Sequence, residues 1–252
     1  MKYEDYKAIY DGLNSPRDIA YMADKMGMDE EFLNVVYTQK TVRTITKSFY
    51  KVKKHSRRIL KDWERGRSML ELAEDWNFSP ILTGLFIFQE SDRSKKYFWK
   101  CVRDPGSIED ERLKREIEEI TAADYVYSPW ASEKQYQRGL WGERLLSDWL
   151  DEQGHCYKTE EDLRGEYPKT PDCLFEEPVE LNGWSINWIE SKASFGDNVE
   201  IKKNVKKQLL PYVDLFGEGL VVYWFGYIDD FRAPKGICIA DDSLLNWKCN
   251  KE

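Results

Sequence analysis

Asn182-Gly183 stands between two runs of alternating residues, and no other feature constrains the chain as tightly. Asn-Gly is the strongest short hairpin signal, because both central positions of the tightest turn need positive φ. After it, Trp184, Ile186 and Trp188 alternate with Ser185, Asn187 and Ile189, a period of two with aromatic and β-branched enrichment. Thr170 to Ser194 therefore reads as a hairpin. Asp172 falls near the start of one strand and Glu190-Ser191-Lys192 near the end of the other. Loop length decides which side chains meet. A two-residue loop pairs Leu181 with Trp184 and, counting outward, Asp172 with Ala193, which turns Asp172 away from Glu190 and Lys192. A three-residue loop, Leu181-Asn182-Gly183 with Gly183 left-handed, sets Asp172 opposite Lys192 with Glu190 a diagonal step away. Only that register assembles a site, so the three-residue loop is the expectation.

Two carboxylates side by side repel unless something neutralises them. A divalent cation does so: Mg²⁺ takes oxygen ligands, usually one or two carboxylates with water and substrate phosphate oxygens. Asp172 and Glu190 would supply the carboxylates and the Ser191 carbonyl a third oxygen. Such an ion activates water and stabilises charge on a scissile phosphate. Lys192 could orient that water or stabilise the developing charge. On these residues alone, an ordinary solvated acid–lysine contact across a hairpin fits as well.

Three neighbouring stretches favour a site. Tyr136 to Leu150 has helical spacing, with Leu140, Leu146 and Leu150 on one stripe and Glu143 within it. A carboxylate facing a core is costly unless paired or metal-bound; the alternative is a Glu at the stripe's edge that reaches water. Asn198 to Phe216 reads as a helix carrying Gln208 and Tyr212 four apart, with Pro211 forcing a kink or a late start. Gly219 to Ile228 is a nearly continuous apolar run, as expected of a strand buried on both faces. Strand, helix, strand is a crossover to a parallel neighbour. His155 to Lys158 would be a short first strand and Gly236 to Ala240 a last edge strand.

Taken together, KTPD at 169–172, NWIESKASFG at 187–196, Gln208 and GLVVYWFGYI at 219–228 resemble the TPD-motif family of PD-(D/E)XK nucleases, found in archaea and eukaryotes. The likeness covers roughly 139–239. It implies a restriction-endonuclease-like α/β/α mixed-sheet core at 126–252. It implies Asp172, Glu190 and Lys192 as catalytic residues, with Glu143 as an auxiliary carboxylate and metal ligand, and Mg²⁺ or Mn²⁺ as cofactor. Gln208 and Tyr212 are similar to the Gln-hydrophobic-x-x-Tyr helix of RecB-like nucleases and Holliday-junction resolvases. The resemblance also implies an N-terminal helix-turn-helix region and, if the chain is eukaryotic, a codanin-like partner and a nuclear place; otherwise the expectation is cytoplasmic.

The chain has 252 residues, 33% charged and 14% aromatic, enough for two modest domains. No apolar run reaches transmembrane length, and the start does not read as a signal peptide. Cys101, Cys156, Cys173, Cys238 and Cys249 lack C-x-x-C spacing, so free thiols in a reducing compartment are expected. Cys173 should point to the core face. His55 and His155 fit no ligand pattern. The net charge of −8 opposes a nucleic-acid partner only until its distribution is read. Between Lys40 and Arg67 the sole acids are Asp62 and Glu64, while Lys53, Lys54, Arg57 and Arg58 stand among eleven cations. Such a block can neutralise phosphates; a solvated helix face is the alternative. Lys202 and Lys203, beside Lys206 and Lys207, with Arg164 and Lys169, put more cations near the carboxylates.

Residues 1–125 read as helical. Tyr3, Tyr6, Ile9 and Tyr10 form one apolar side; Ser15-Pro16 caps a second helix. Ala23-x-x-x-Gly27 fits a helix-turn-helix. Thr41 to Arg65 reads as one basic helix. Ser68 to Gln89 repeats the theme, though Ile81 to Phe88 is too apolar to read a groove and better suits a core or interface. A helical bundle without base contacts fits these patterns equally. Ile108 to Thr121 is a charged helix expected to span between halves, and Tyr125 to Trp130 is the expected domain boundary. The reading is a metal-dependent nuclease acting on DNA, branched or structured; a catalytically silent nucleic-acid-binding or assembly module and an RNA-processing nuclease are the competitors. Many nucleases that cut both strands are dimers, which leaves a homodimer open.

Overall fold

The computed structural model describes residues 1–247, so Cys249 lies outside the described residues. The described part is an α/β protein with one five-stranded sheet, ordered β1 to β5 as in the chain. Two compact units are present. One joins Met1–Val36 to the chain from Gln137 on; the other is Tyr37–Tyr136. The cuts fall inside two long helices, α3 (Glu30–Lys54) and α9 (Pro129–Gln153), and not at the expected 125/126 boundary.

In the first unit, β1 (Tyr157–Thr159), β2 (Cys173–Leu181) and β3 (Trp184–Lys192) are antiparallel. After β3 come α11 (Asn198–Asn204), a π-helical segment (Val205–Leu209) and α12 (Leu210–Phe216). This crossover delivers β4 (Gly219–Tyr223) parallel to β3, and β5 (Ile237–Ala240) adds as the parallel edge. All of β4 is buried, as its unbroken apolar run requires. One face of the sheet packs Leu146, Trp149 and Leu150 of α9 onto Cys173, Ile189, Leu220 and Val222. The other packs Ile201, Val205, Leu209 and Tyr212 onto Trp188, Val221 and Tyr223. Pro211 cannot donate an N–H to the preceding turn, and the helix answers with the wide π segment directly before it.

The expected three-residue loop is not what forms. Leu181 pairs with Trp184, and the turn is the two residues Asn182 (φ 50°) and Gly183 (φ 80°). Asp172 still reaches the right face, because β2 bulges. It takes five steps from Leu174 to Val179 while β3 takes two from Ile186 to Trp188. This odd surplus, in a stretch containing Pro178, reverses the face of everything beyond it. Cys173 then pairs with Ile189 and is buried in the core, as expected.

Also in this unit are α1 (Tyr3–Gly12) and α2 (Pro16–Met26), the latter with Ser15 in a capping box and Gly27 left-handed at its end. Tyr3 is exposed rather than packed; Tyr6 and Ile9 are buried. Tyr6 stacks on Phe195 at 4.9 Å, and its hydroxyl donates to Asp197, which caps α11.

The second unit holds the rest of α3, then α4 (Ser56–Glu64), α5 (Met69–Asp75), α6 (Pro80–Glu90), α7 (Lys95–Arg103) and α8 (Glu111–Ala123). The single basic helix expected over 41–65 breaks at His55, whose ring bonds the Lys51 carbonyl at 2.8 Å. α6 is core, as its composition demands. The expected spanning helix, α8, instead buries Leu113, Ile117 and Ile120 in this unit's own core. Glu116 goes in with them, held by Arg112 Nε (2.7 Å), Trp63 Nε1 (2.7 Å) and Met69 N (3.1 Å).

Candidate active site

The C-terminal end of β3 gathers the expected residues. Glu190 and Lys192 are two apart and share a strand face, and the Lys192 ammonium is hydrogen-bonded to Glu190 Oε1. Asp172, just ahead of β2, accepts the Ser191 N–H at 2.7 Å. Glu190 is 3% exposed, and its Oε2 is buried with no hydrogen-bond partner. Such an orphaned acceptor is costly unless a donor or a cation satisfies it.

Burial, then the Glu190 charge, pushes the Asp172 carboxyl up to about 7. Burial also raises Glu190, against the pull of Lys192. Glu143 is raised by partial desolvation, then by Asp172. Three carboxyls thus resist ionisation together. Of the two expectations for Glu143, the edge of the stripe holds: its side chain is exposed, beside the charges of Asp172 and Lys192.

Two devices that sequence reading missed hold this geometry. Ser191 Oγ accepts from Trp224 Nε1 at 2.8 Å, and Gly142 of α9 lies directly over that pair. A Cβ at Gly142 would stand 2.6 Å from Trp224 Cδ1, so only glycine lets α9 come this close and carry Glu143 in. The one signal was a glycine interrupting the stripe next to the acid. On the other face, the Tyr212 hydroxyl donates to the Thr170 carbonyl at 2.8 Å and stands against Glu190, while the Lys169 ammonium is bonded to the Lys207 carbonyl. The first two residues of the KTPD segment are so tied to the crossover between β3 and β4.

Tyr212 is buried, positioning the motif rather than offering a surface. Gln208 is half-buried in the π segment, and its side chain makes no hydrogen bond to a described residue. Lys202 and Lys203 are exposed on α11, Lys203 pairing with Glu200 at 2.7 Å. Lys53, Lys54, Arg57 and Arg58 are exposed in the second unit, where Arg57 meets Glu90 at 3.4 Å and Arg58 meets Asp62 at 3.7 Å. Arg164 pairs loosely with Glu160 at 4.0 Å.

Among the described residues no group of three or more His, Cys, Asp or Glu side chains is placed to hold a metal by itself. Two carboxylates with a backbone carbonyl is an all-oxygen set that suits Mg²⁺, which keeps water and takes substrate oxygens. The orphaned Glu190 oxygen and the mutual repulsion of the carboxyls fit such an ion.

Fold and site define an α/β protein whose mixed sheet sets an aspartate, a glutamate and a lysine together at one strand end. A family model described as "Protein of unknown function TPD sequence-motif" matches residues 109–243, more than half of the chain. The chain belongs to this TPD-motif family, whose name is spelled by Thr170-Pro171-Asp172. It is 35% identical over 183 residues to a Danio rerio protein named CDAN1-interacting nuclease 1, covering 69% of this chain and 61% of that one. The Homo sapiens protein of the same name is 34% identical over 181 residues, 68% of this chain and 64% of that one. The chain thus spans about three fifths of the length of the curated relatives it matches. No solved structure matches significantly.

Proposed function

We propose that this chain is a metal-dependent nuclease that hydrolyses phosphodiester bonds in DNA, branched or structured DNA among its substrates. The observation that carries the reading is the meeting of Asp172, Glu190 and Lys192 around a buried carboxylate oxygen without a partner. The name nuclease borne by the relatives supports it. From α9 to β4 the elements run helix, strand, a four-residue helix (Glu160–Leu163), two strands, the helical crossover and a strand, which this reading assigns to the PD-(D/E)XK core.

Asp172, Glu190 and the Ser191 carbonyl would hold Mg²⁺ or Mn²⁺, with Glu143 as an outer carboxylate. When bound, the ion supplies Lewis acidity to the phosphate and lowers the pKa of its water. Lys192, which pairs with Glu190, would orient the attacking water and stabilise charge on the phosphate. The Ser191 N–H fixes one Asp172 oxygen and leaves the other for ligation. Tyr212 holds the Thr170 carbonyl, and so the position of Asp172. Gln208, one turn earlier, faces substrate in this reading. Lys202, Lys203 and the second unit's Lys53, Lys54, Arg57 and Arg58 contact backbone phosphates, and the helix pairs near Gly27 and Ser79 act as helix-turn-helix supports. Likeness to the relatives adds a protein partner of the CDAN1 kind.

Labelled linear DNA, branched DNA and RNA, each incubated with Mg²⁺, Mn²⁺ or EDTA, test this. Cleavage of DNA should need the metal. Asp172→Ala and Lys192→Ala should abolish cleavage and spare binding; cleavage surviving either change removes the site assignment.

A further inference from the structure

Among the described residues Tyr50 is the most exposed large hydrophobic side chain, at 81%. It sits on α3 with Lys47 and Lys54, at offsets of three and four residues, on one helix face, and Lys51 follows it about 100° round the helix. The three lysines are exposed, and none makes an ion pair or side-chain hydrogen bond with a described residue. Arg57 and Arg58 nearby differ, each facing a carboxylate. The Tyr50 ring is not loose: Phe49 meets it edge-on at 5.5 Å, and Phe49 packs on Phe86 at 5.6 Å in the core of the same unit. An aromatic ring braced from below and bracketed by free ammonium groups has the chemistry of a stacking platform. Its complement is a polyanion that also offers a flat π-face.

We propose that Tyr50 stacks an unpaired base while Lys47, Lys51 and Lys54 contact the flanking phosphates, so that this face selects single-stranded segments of a nucleic acid over blunt duplex. Within a duplex the base faces are already stacked on one another, whereas an unpaired strand offers base faces along with its phosphates. The proposal rests on the nuclease reading and narrows it to substrates with an unpaired segment.

The test uses the full chain carrying Asp172→Ala, with anisotropy of labelled oligothymidylate, blunt duplex and heparin over a salt series. Tyr50→Ala should weaken oligothymidylate binding about tenfold, as loss of one stacked base does, and leave duplex and heparin unchanged. Tyr50→Phe should keep the affinity. Changing Lys47, Lys51 and Lys54 to Gln should lower the salt slope on the single strand by about two, at roughly 0.7 per phosphate. No loss with Tyr50→Ala, an equal loss on duplex or heparin, or an unchanged slope in the triple variant would each overturn the platform. Cleavage by the Asp172-intact chain is scored separately. An inert chain that passes the binding test sinks the nuclease reading alone; an active chain that fails it sinks this one alone.

Discussion

Asp172 shows how a buried carboxylate can work against its own fold. Burial and the Glu190 charge lift its carboxyl to about 7, against about 4 in an unfolded chain. Between those values the native state keeps a proton that the unfolded state has released, so stability from this group falls as pH rises from about 4 to about 7. In EDTA, Asp172→Asn should raise Tm at pH 8 and leave it nearly unchanged at pH 4, and Mg²⁺ should raise the Tm of the parent more at pH 8 than at pH 5. Scanning fluorimetry decides; a variant that melts lower at pH 8 would contradict the assignment. Gly142→Ala tests the close approach of α9. Its Cβ has nowhere to go beside Trp224, so about 1–3 kcal/mol of stability and much of the cleavage rate should be lost together. Urea midpoints and rates near the parent's would show that Glu143 does not depend on that contact.

At the scale of elements, the hairpin was legible and its register was not. Asn182-Gly183 and the alternation after it announce two strands. Residues 175–178 carry no comparable sign of a bulge; Pro178, which cannot donate to a ladder, is the nearest to one. The requirement that Asp172 meet Glu190 led to the right face by the wrong loop. Similarly, Pro211 foretold a disturbed helix, but a π segment in place of a kink depends on how the crossover packs on β4. The charges of α8 suggested a solvated connector, yet its apolar stripe and Glu116 are buried. Glu116→Ala would strand Arg112, Trp63 and the Met69 N–H, and should cost about 3 kcal/mol, read as a lowered urea midpoint. A midpoint within error of the parent's would mean that water replaces the carboxylate.

For the molecule as a whole, a charge of −8 conceals an exposed cationic stretch in the second unit. Charge reversal at Lys53, Lys54, Arg57 and Arg58 should weaken nucleic-acid binding and flatten its salt dependence without touching the carboxylates. Unchanged affinity across a salt titration would remove that stretch from the interface. The N-terminal helices were expected to belong with the other helices up to 125. They pack instead in the unit that holds the sheet, through Tyr6, Phe32 and Phe195, and even the Met1 carbonyl accepts the Asp229 N–H at 3.0 Å.

Local patterning was enough to determine the hairpin, the buried parallel strand and the apolar core helix, because periodicity and turn chemistry act between near neighbours. The bulge that aims Asp172, the glycine seat under Trp224, the outward turn of Glu143 and the docking of α1 came only with the tertiary structure. Each is settled by contacts between segments far apart in the chain, where the energy of packing one surface on another outweighs what either segment prefers alone.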